Sequence, residues 1–136
     1  VSAFVVDSSA VVDLLLHHDI ESGTVSDLRS HDLRAPELII PELLSAARRL
    51  AASRRVDMPR VSRMLEEYDK LEVTCCSHDV LMFAAWKLRD NFSAYDAMYV
   101  ALAKQLEIPL VTSDMRLAKA ARDECEVLDL EQLLQS

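Results

Sequence analysis

A single parallel β-sheet flanked by helices is the fold this chain predicts, on three observations. Short apolar runs alternate with stretches of helical length along all 136 residues. Runs such as Phe4-Val5-Val6 and Leu110-Val111 are continuous rather than alternating, as strands covered on both faces require. Glycine occurs once, at Gly23, which argues against a Gly-rich phosphate loop, a Rossmann fingerprint and an all-β fold built on tight turns. Alternating strands and helices then favour an α/β sandwich with helices on both faces of the sheet.

The elements follow in order. Ala3-Phe4-Val5-Val6-Asp7 is a buried strand ending in an acid, and Ser8 or Ser9 caps a helix to about His17. An amphipathic helix covers Glu21 to Arg29, and Leu33-Arg34-Ala35 is a strand limited by Pro36. Pro41 suits a first helical turn. Its helix carries Leu43, Ala47, Leu50 and Ala51 and ends near Arg55. Pro59 opens another, with Val61, Met64, Leu65 and Tyr68. Glu72-Val73-Thr74-Cys75 is the third strand, and Ser77 starts a helix through Leu81, Ala84, Ala85 and Leu88. Ser93 starts the most apolar helix, around Ala97 to Ala103, apolar on most of its circumference and so expected to be buried. Pro109 to Thr112 is the fourth strand, Asp114 to Arg122 a helix, and Glu126-Val127-Leu128 the fifth strand before a short final helix. No repeat or linker interrupts this, so residues 1–136 are expected to form one domain.

Composition bounds the setting. Half the residues are hydrophobic, a globular balance. Three cysteines without a CxxC fit a reducing cytoplasm and give no zinc signature. No run is long enough for a membrane span, the start does not resemble a signal peptide, and nothing large is expected ahead of Val1. The net charge of −8 counts against a nucleic-acid binder. Yet Arg48, Arg49, Arg54, Arg55, Arg60 and Arg63 stand against the single acid Asp57 in that stretch. They form either a solvated helical face or a patch facing phosphates.

Four acids carry candidate chemistry. Asp7 ends the first strand, Glu42 and Asp96 lie in first helical turns, and Asp114 follows the fourth strand. These are places where an open α/β sheet builds its site. Each also has an ordinary explanation as a helix cap or dipole partner. If the four converge, carboxylates about 5 Å apart repel by roughly 3 kcal/mol per pair at an effective dielectric of 20. A hard divalent cation, Mg²⁺ or Mn²⁺, is the natural neutraliser of an all-oxygen set. Ser8, Ser9, Thr112 and Ser113 flank the acids as caps or as donors that orient the carboxylates. His17, His18, His31 and His78 share no ligand spacing and read as surface or structural residues. Trp86 reads as core or interface packing.

Four segments resemble the acidic motifs of VapC-type toxins of the PIN-domain family. They are Val5-Val6-Asp7-Ser8-Ser9-Ala10, Pro41-Glu42-Leu43, Tyr95-Asp96-Ala97-Met98-Tyr99-Val100-Ala101-Leu102-Ala103 and Leu110-Val111-Thr112-Ser113-Asp114-Met115-Arg116-Leu117. They stand in the family's order across nearly the whole chain. The resemblance implies a five-stranded parallel sheet in a PIN domain. It implies Mg²⁺- or Mn²⁺-dependent cleavage of RNA at Asp7, Glu42, Asp96 and Asp114, inhibition by a VapB antitoxin, and a homodimer. Some members carry a second acid near the Asp114 position; here positions 115 and 116 are Met115 and Arg116, which leaves the number of metal ions open.

Glu42 and Arg49 lie seven residues apart on one helix and share a face, about 10 Å apart along its axis. Arg49 and Arg48 are therefore candidates for holding RNA phosphates. A receiver-like phospho-signalling module is the alternative from another class. It wants a Lys after a late strand, whereas Lys104 precedes the fourth strand and Lys119 lies inside a helix. A metal-free interaction protein whose acids are all caps is the third.

Overall fold

The protein is described by a computed structural model covering residues 2–17 and 22–136. Five strands form one sheet: β1 Ala3–Val6, β2 Asp32–Pro36, β3 Thr74–Cys76, β4 Leu110–Val111 and β5 Val127–Leu128. Their spatial order is β3-β2-β1-β4-β5 and every pairing is parallel. The chain builds outward from β1 to β3, then returns to the other side of β1 to lay down β4 and β5. The direction of winding therefore reverses between β1 and β4, where open parallel sheets leave a crevice beyond their carboxyl ends.

The flanking helices are α1 Ser8–His17, α2 Ser22–Arg29, α3 Ile39–Ser53, α4 Met58–Lys70, α5 Met82–Trp86, α6 Ala94–Leu106, α7 Met115–Ala121 and α8 Leu130–Leu134. Several of their starts are set by side chains that satisfy free N–H groups. Asp57, Ser93 and Asp114 cap α4, α6 and α7, and Asp129 with Gln132 forms a capping box on α8. One core runs through the sheet and the inner helix faces, with Val5, Leu15, Ile39, Met64, Leu81, Val100 and Leu110 fully buried. In α6, Ala97 and Tyr99 to Ala103 are all buried, as its apolar circumference requires.

Pro41 lies in the first turn of α3, which starts at Ile39, where no N–H is needed. Two local expectations are corrected. The strand assigned to Glu72–Cys75 begins at Thr74. Glu72 instead adopts φ 54, a left-handed turn that stops the chain after α4. The helix assigned from Ser77 to Leu88 is broken into a 3₁₀ turn at His78–Val80 and the five-residue α5. Leu81, Ala85 and Leu88 are buried as the spacing required. His78, however, is drawn toward the start of α3, where its Nε2 accepts the Leu38 N–H at 2.9 Å. His18 and Glu21 lie outside the described residues.

Candidate active site

Strand β1 is apolar because it lies in the middle of the sheet, and the first residue beyond it is Asp7, only 5% exposed. A buried carboxylate needs donors, and Asp7 has three. Its Oδ1 accepts from the Ser9 hydroxyl at 2.7 Å and the Ala10 N–H at 2.8 Å. Its Oδ2 accepts from the Thr112 hydroxyl, which arrives from the end of the adjacent β4. Burial nevertheless dominates: it pushes the Asp7 carboxyl up to about 6 against these three hydrogen bonds, and the charge of Asp114 adds to the rise.

The turn after β4 is tied to α1. The Ser113 N–H donates to the Ser9 hydroxyl at 3.1 Å, and the Ser113 hydroxyl donates to Asp13 at 2.8 Å. Asp114 then caps α7, its Oδ1 accepting from the Arg116 and Leu117 N–H groups. That leaves its other oxygen outside the cap.

Glu42 enters from the first turn of α3 and Asp96 from the first turn of α6. Tyr99, one turn beyond Asp96, is buried and donates its phenolic hydrogen to Glu42 Oε1 at 2.5 Å. Burial raises the Glu42 carboxyl above its ordinary range; the hydrogen bond from Tyr99 opposes this and the charge of Asp96 adds to it. Burial also raises Asp96, followed by the charge of Asp114, with the Arg116 cation opposing. Asp7 thus couples to Asp114, Asp114 to Asp96, and Asp96 to Glu42. Four acids 107 positions apart in sequence at their extremes share one electrostatic field.

This set suits a hard divalent cation. All its donors are oxygens, and three carboxyls are raised by burial and by one another's charge, which a cation would reverse. Among the described residues, no three His, Cys, Asp or Glu side chains close on one point as a ready metal cage. Mg²⁺ keeps several waters and takes few direct protein ligands.

Beside the acids opens a cleft of about 840 Å³. Its walls include Ser8, Asp13, Glu42, Ser45, Arg49 and Tyr95. Glu42 and Arg49 thus face the same space from α3. Arg48 and Arg49 are exposed. Arg60 is otherwise engaged, donating to the Leu15 carbonyl at 2.7 Å and pairing with Glu67 at 4.0 Å.

The PIN domain pattern matches residues 4–123, a span that includes all four acids. Ribonuclease VapC9 of Mycobacterium tuberculosis is 37% identical over 123 residues, covering 90% of this chain and 94% of that protein. This chain belongs to the PIN-domain family, among its VapC-type members. The fold agrees. PAE2754 from Pyrobaculum aerophilum superposes with a TM-score of 0.74 at 24% identity, over 99% of this chain and 96% of that one. VapBC2 from Rickettsia felis, solved bound to a DNA fragment from its promoter, gives a TM-score of 0.66 at 12% identity, over 93% and 98%.

Within this PIN domain the flanking hydroxyls separate into distinct tasks. Ser9 and Thr112 hold Asp7, Ser113 joins Asp13, and Ser8 lines the cleft together with Glu42. Sequence reasoning missed Asp13 and Tyr99. Their signal was helical spacing, with Asp13 one turn beyond Ser9 and Tyr99 three residues beyond Asp96, and Tyr99 also stands within the third motif segment. Trp86 is not core: it is 64% exposed, with the Arg89 guanidinium 4.5 Å above its ring. His31 meets Phe4 edge-on at 5.5 Å, a structural contact. Lys104 pairs with Glu124 at 2.8 Å, so it does not serve the acids as a receiver-type site would need. No described helix is long and apolar enough to cross a membrane.

Proposed function

We propose that this PIN domain is a Mg²⁺- or Mn²⁺-dependent endoribonuclease, the toxin of a VapBC pair, and that Asp7, Glu42, Asp96 and Asp114 form its catalytic, metal-holding set. The observation that carries the reading is the coupling of these four carboxylates at the reversal point of the sheet. It is supported by the identity to Ribonuclease VapC9. When bound, the ion supplies charge stabilisation at a phosphoryl group and a more acidic water.

The chain's own residues do the rest. Ser9 and Thr112 aim the Asp7 oxygens, and Tyr99 fixes Glu42. Arg49, with Arg48 beside it, holds the RNA backbone by its phosphates and so sets the register of the strand over the acids. The partner is a VapB-type antitoxin, a reading supported by the VapBC2 relative. A pocket of carboxylates favours an inhibitor that inserts an Arg, whose fork pairs bidentately with them. The PIN domain formed by residues 1–136 acts in the cytoplasm. It does so as a homodimer, for which the exposed groove of Met82, Phe83, Trp86 and Met98 offers apolar surface.

RNA ends are mapped after brief expression, and purified wild type and Asp96→Asn proteins are compared with Mg²⁺, Mn²⁺ or chelator. New ends that need both the metal and Asp96 support the reading. A wild type that cleaves no RNA with either ion overturns it.

A further inference from the structure

Tyr95 immediately precedes Asp96, yet its ring is 67% exposed and forms part of the cleft wall. Large aromatic rings left in water beside a polar cleft contribute little to folding. Facing the same space is Arg49, exposed and without an ion pair among the described residues. The same walls carry the hydroxyls of Ser8, Ser45 and Ser113, the apolar Leu38 and Pro41, and the carboxylates of Asp13 and Glu42.

A nucleotide presents one flat π-face and one phosphate, and the cleft offers one partner for each. Its volume of about 840 Å³ is at the roomy end for a small-molecule site, typically about 300–1,000 Å³. Position matters as well. Glu42 and Arg49 are seven residues apart on α3, about 10 Å along the axis at 1.5 Å per residue. Neighbouring phosphates in a single strand are spaced about 6–7 Å, so a phosphate on Arg49 belongs to a nucleotide one or two steps from the acids, where phosphate contacts set the register.

We infer that this cleft is a nucleotide subsite flanking the cleaved bond, with a base stacked on Tyr95 and its outer phosphate held by Arg49. The inference rests on the ribonuclease reading and adds to it a place for a flanking base turned out of any helix. Stacking of this kind tolerates any base, since each has a π-face.

The test uses single-stranded RNA oligonucleotides containing a mapped cleavage site, with an abasic residue placed in turn at each flanking position. Binding to wild type, Tyr95→Ala, Tyr95→Phe and Arg49→Ala is measured in chelator, and cleavage with Mg²⁺ or Mn²⁺. One abasic position is expected to weaken wild-type binding roughly tenfold, the order of one base–aromatic stack. Tyr95→Ala should lose the same factor on intact RNA and nothing further on the abasic RNA, while Tyr95→Phe keeps wild-type binding. Losses that multiply, or a Tyr95→Ala protein binding intact RNA normally, overturn the subsite. So does a Tyr95→Ala defect confined to binding a VapB-type protein. A wild type that cleaves no RNA overturns the ribonuclease reading itself, whereas an active wild type with multiplying losses overturns the subsite alone.

Discussion

The hydroxyl of Tyr99 on α6 donates to Glu42 on α3 at 2.5 Å, joining two helices whose first turns each carry an acid of the candidate site. A hydrogen bond to the charged form favours ionisation, so Tyr99 opposes the burial that raises Glu42. Tyr99→Phe keeps the buried ring but removes the donor. The Glu42 carboxyl then rises further, and stability falls by about 1 kcal/mol, the typical worth of such a bond. Mn²⁺ affinity, measured by titration calorimetry, should drop more at pH 6 than at pH 8, because protons compete with the metal. Equal losses at both pH values would show that Tyr99 does not act through Glu42 ionisation.

Asp7 makes the metal-free protein pH-sensitive. Its folded pKa of about 6 lies above the ordinary 3.8, so the folded state holds a proton that the unfolded chain releases. Its contribution is fully present below about pH 3.8 and is lost as pH rises through 6. Two units correspond to about 3 kcal/mol at most. Asp7→Asn has no charge to bury. In chelator, wild type should therefore lose stability relative to Asp7→Asn between pH 5 and pH 7.5. Urea unfolding at both pH values measures this, and a constant difference rejects the shift.

Asp13 holds the Ser113 hydroxyl at 2.8 Å and thereby fixes the turn that delivers Asp114. Asp13→Ala should lower kcat for RNA cleavage about tenfold with little change in KM, whereas Asp13→Asn, which still offers an acceptor oxygen, should retain activity. Ser113→Ala in the Asp13→Ala background should add nothing, since the two residues act through one contact. If Asp13→Asn is as impaired as Asp13→Ala, the carboxylate charge matters and positioning is the wrong account.

Arg49 is tested by salt. With cleavage blocked by Asp96→Asn, Arg49→Ala should weaken RNA binding and reduce the slope of log affinity against log salt by about 0.7, one phosphate's worth on a single strand. Metal binding by Arg49→Ala, measured in the Asp96-intact protein, should be unchanged. An unaltered slope would reassign the arginine to solvation, where exposed ion pairs contribute little.

The succession of strands and helices was legible in the residues themselves. Short apolar runs bounded by polar residues, such as Phe4-Val5-Val6, fit buried strands, and Ser93 announces a helix start through a local hydrogen bond three residues away. The four acids were visible for the same reason, since each abuts a strand end or a first helical turn. The broken helix after Ser77 was not legible, because its apolar spacing is genuine. What interrupts it is His78 reaching Leu38, forty residues away, and local propensity yields to such contacts.

By itself, the sequence determined the order of strands and helices, most of their bounds and the candidate acids, because those depend on neighbours within a turn or two. The tertiary structure alone decided that Asp7 and Thr112, 105 positions apart, share a hydrogen bond. It also decided that Tyr99 serves Glu42, that Asp13 holds Ser113, and that Tyr95 and Arg49 face one cleft while Trp86 stands in solvent. These facts follow from the parallel order β3-β2-β1-β4-β5. Laying β4 beside β1 brings distant strand ends together, and side-chain burial and charge coupling act through space rather than along the chain.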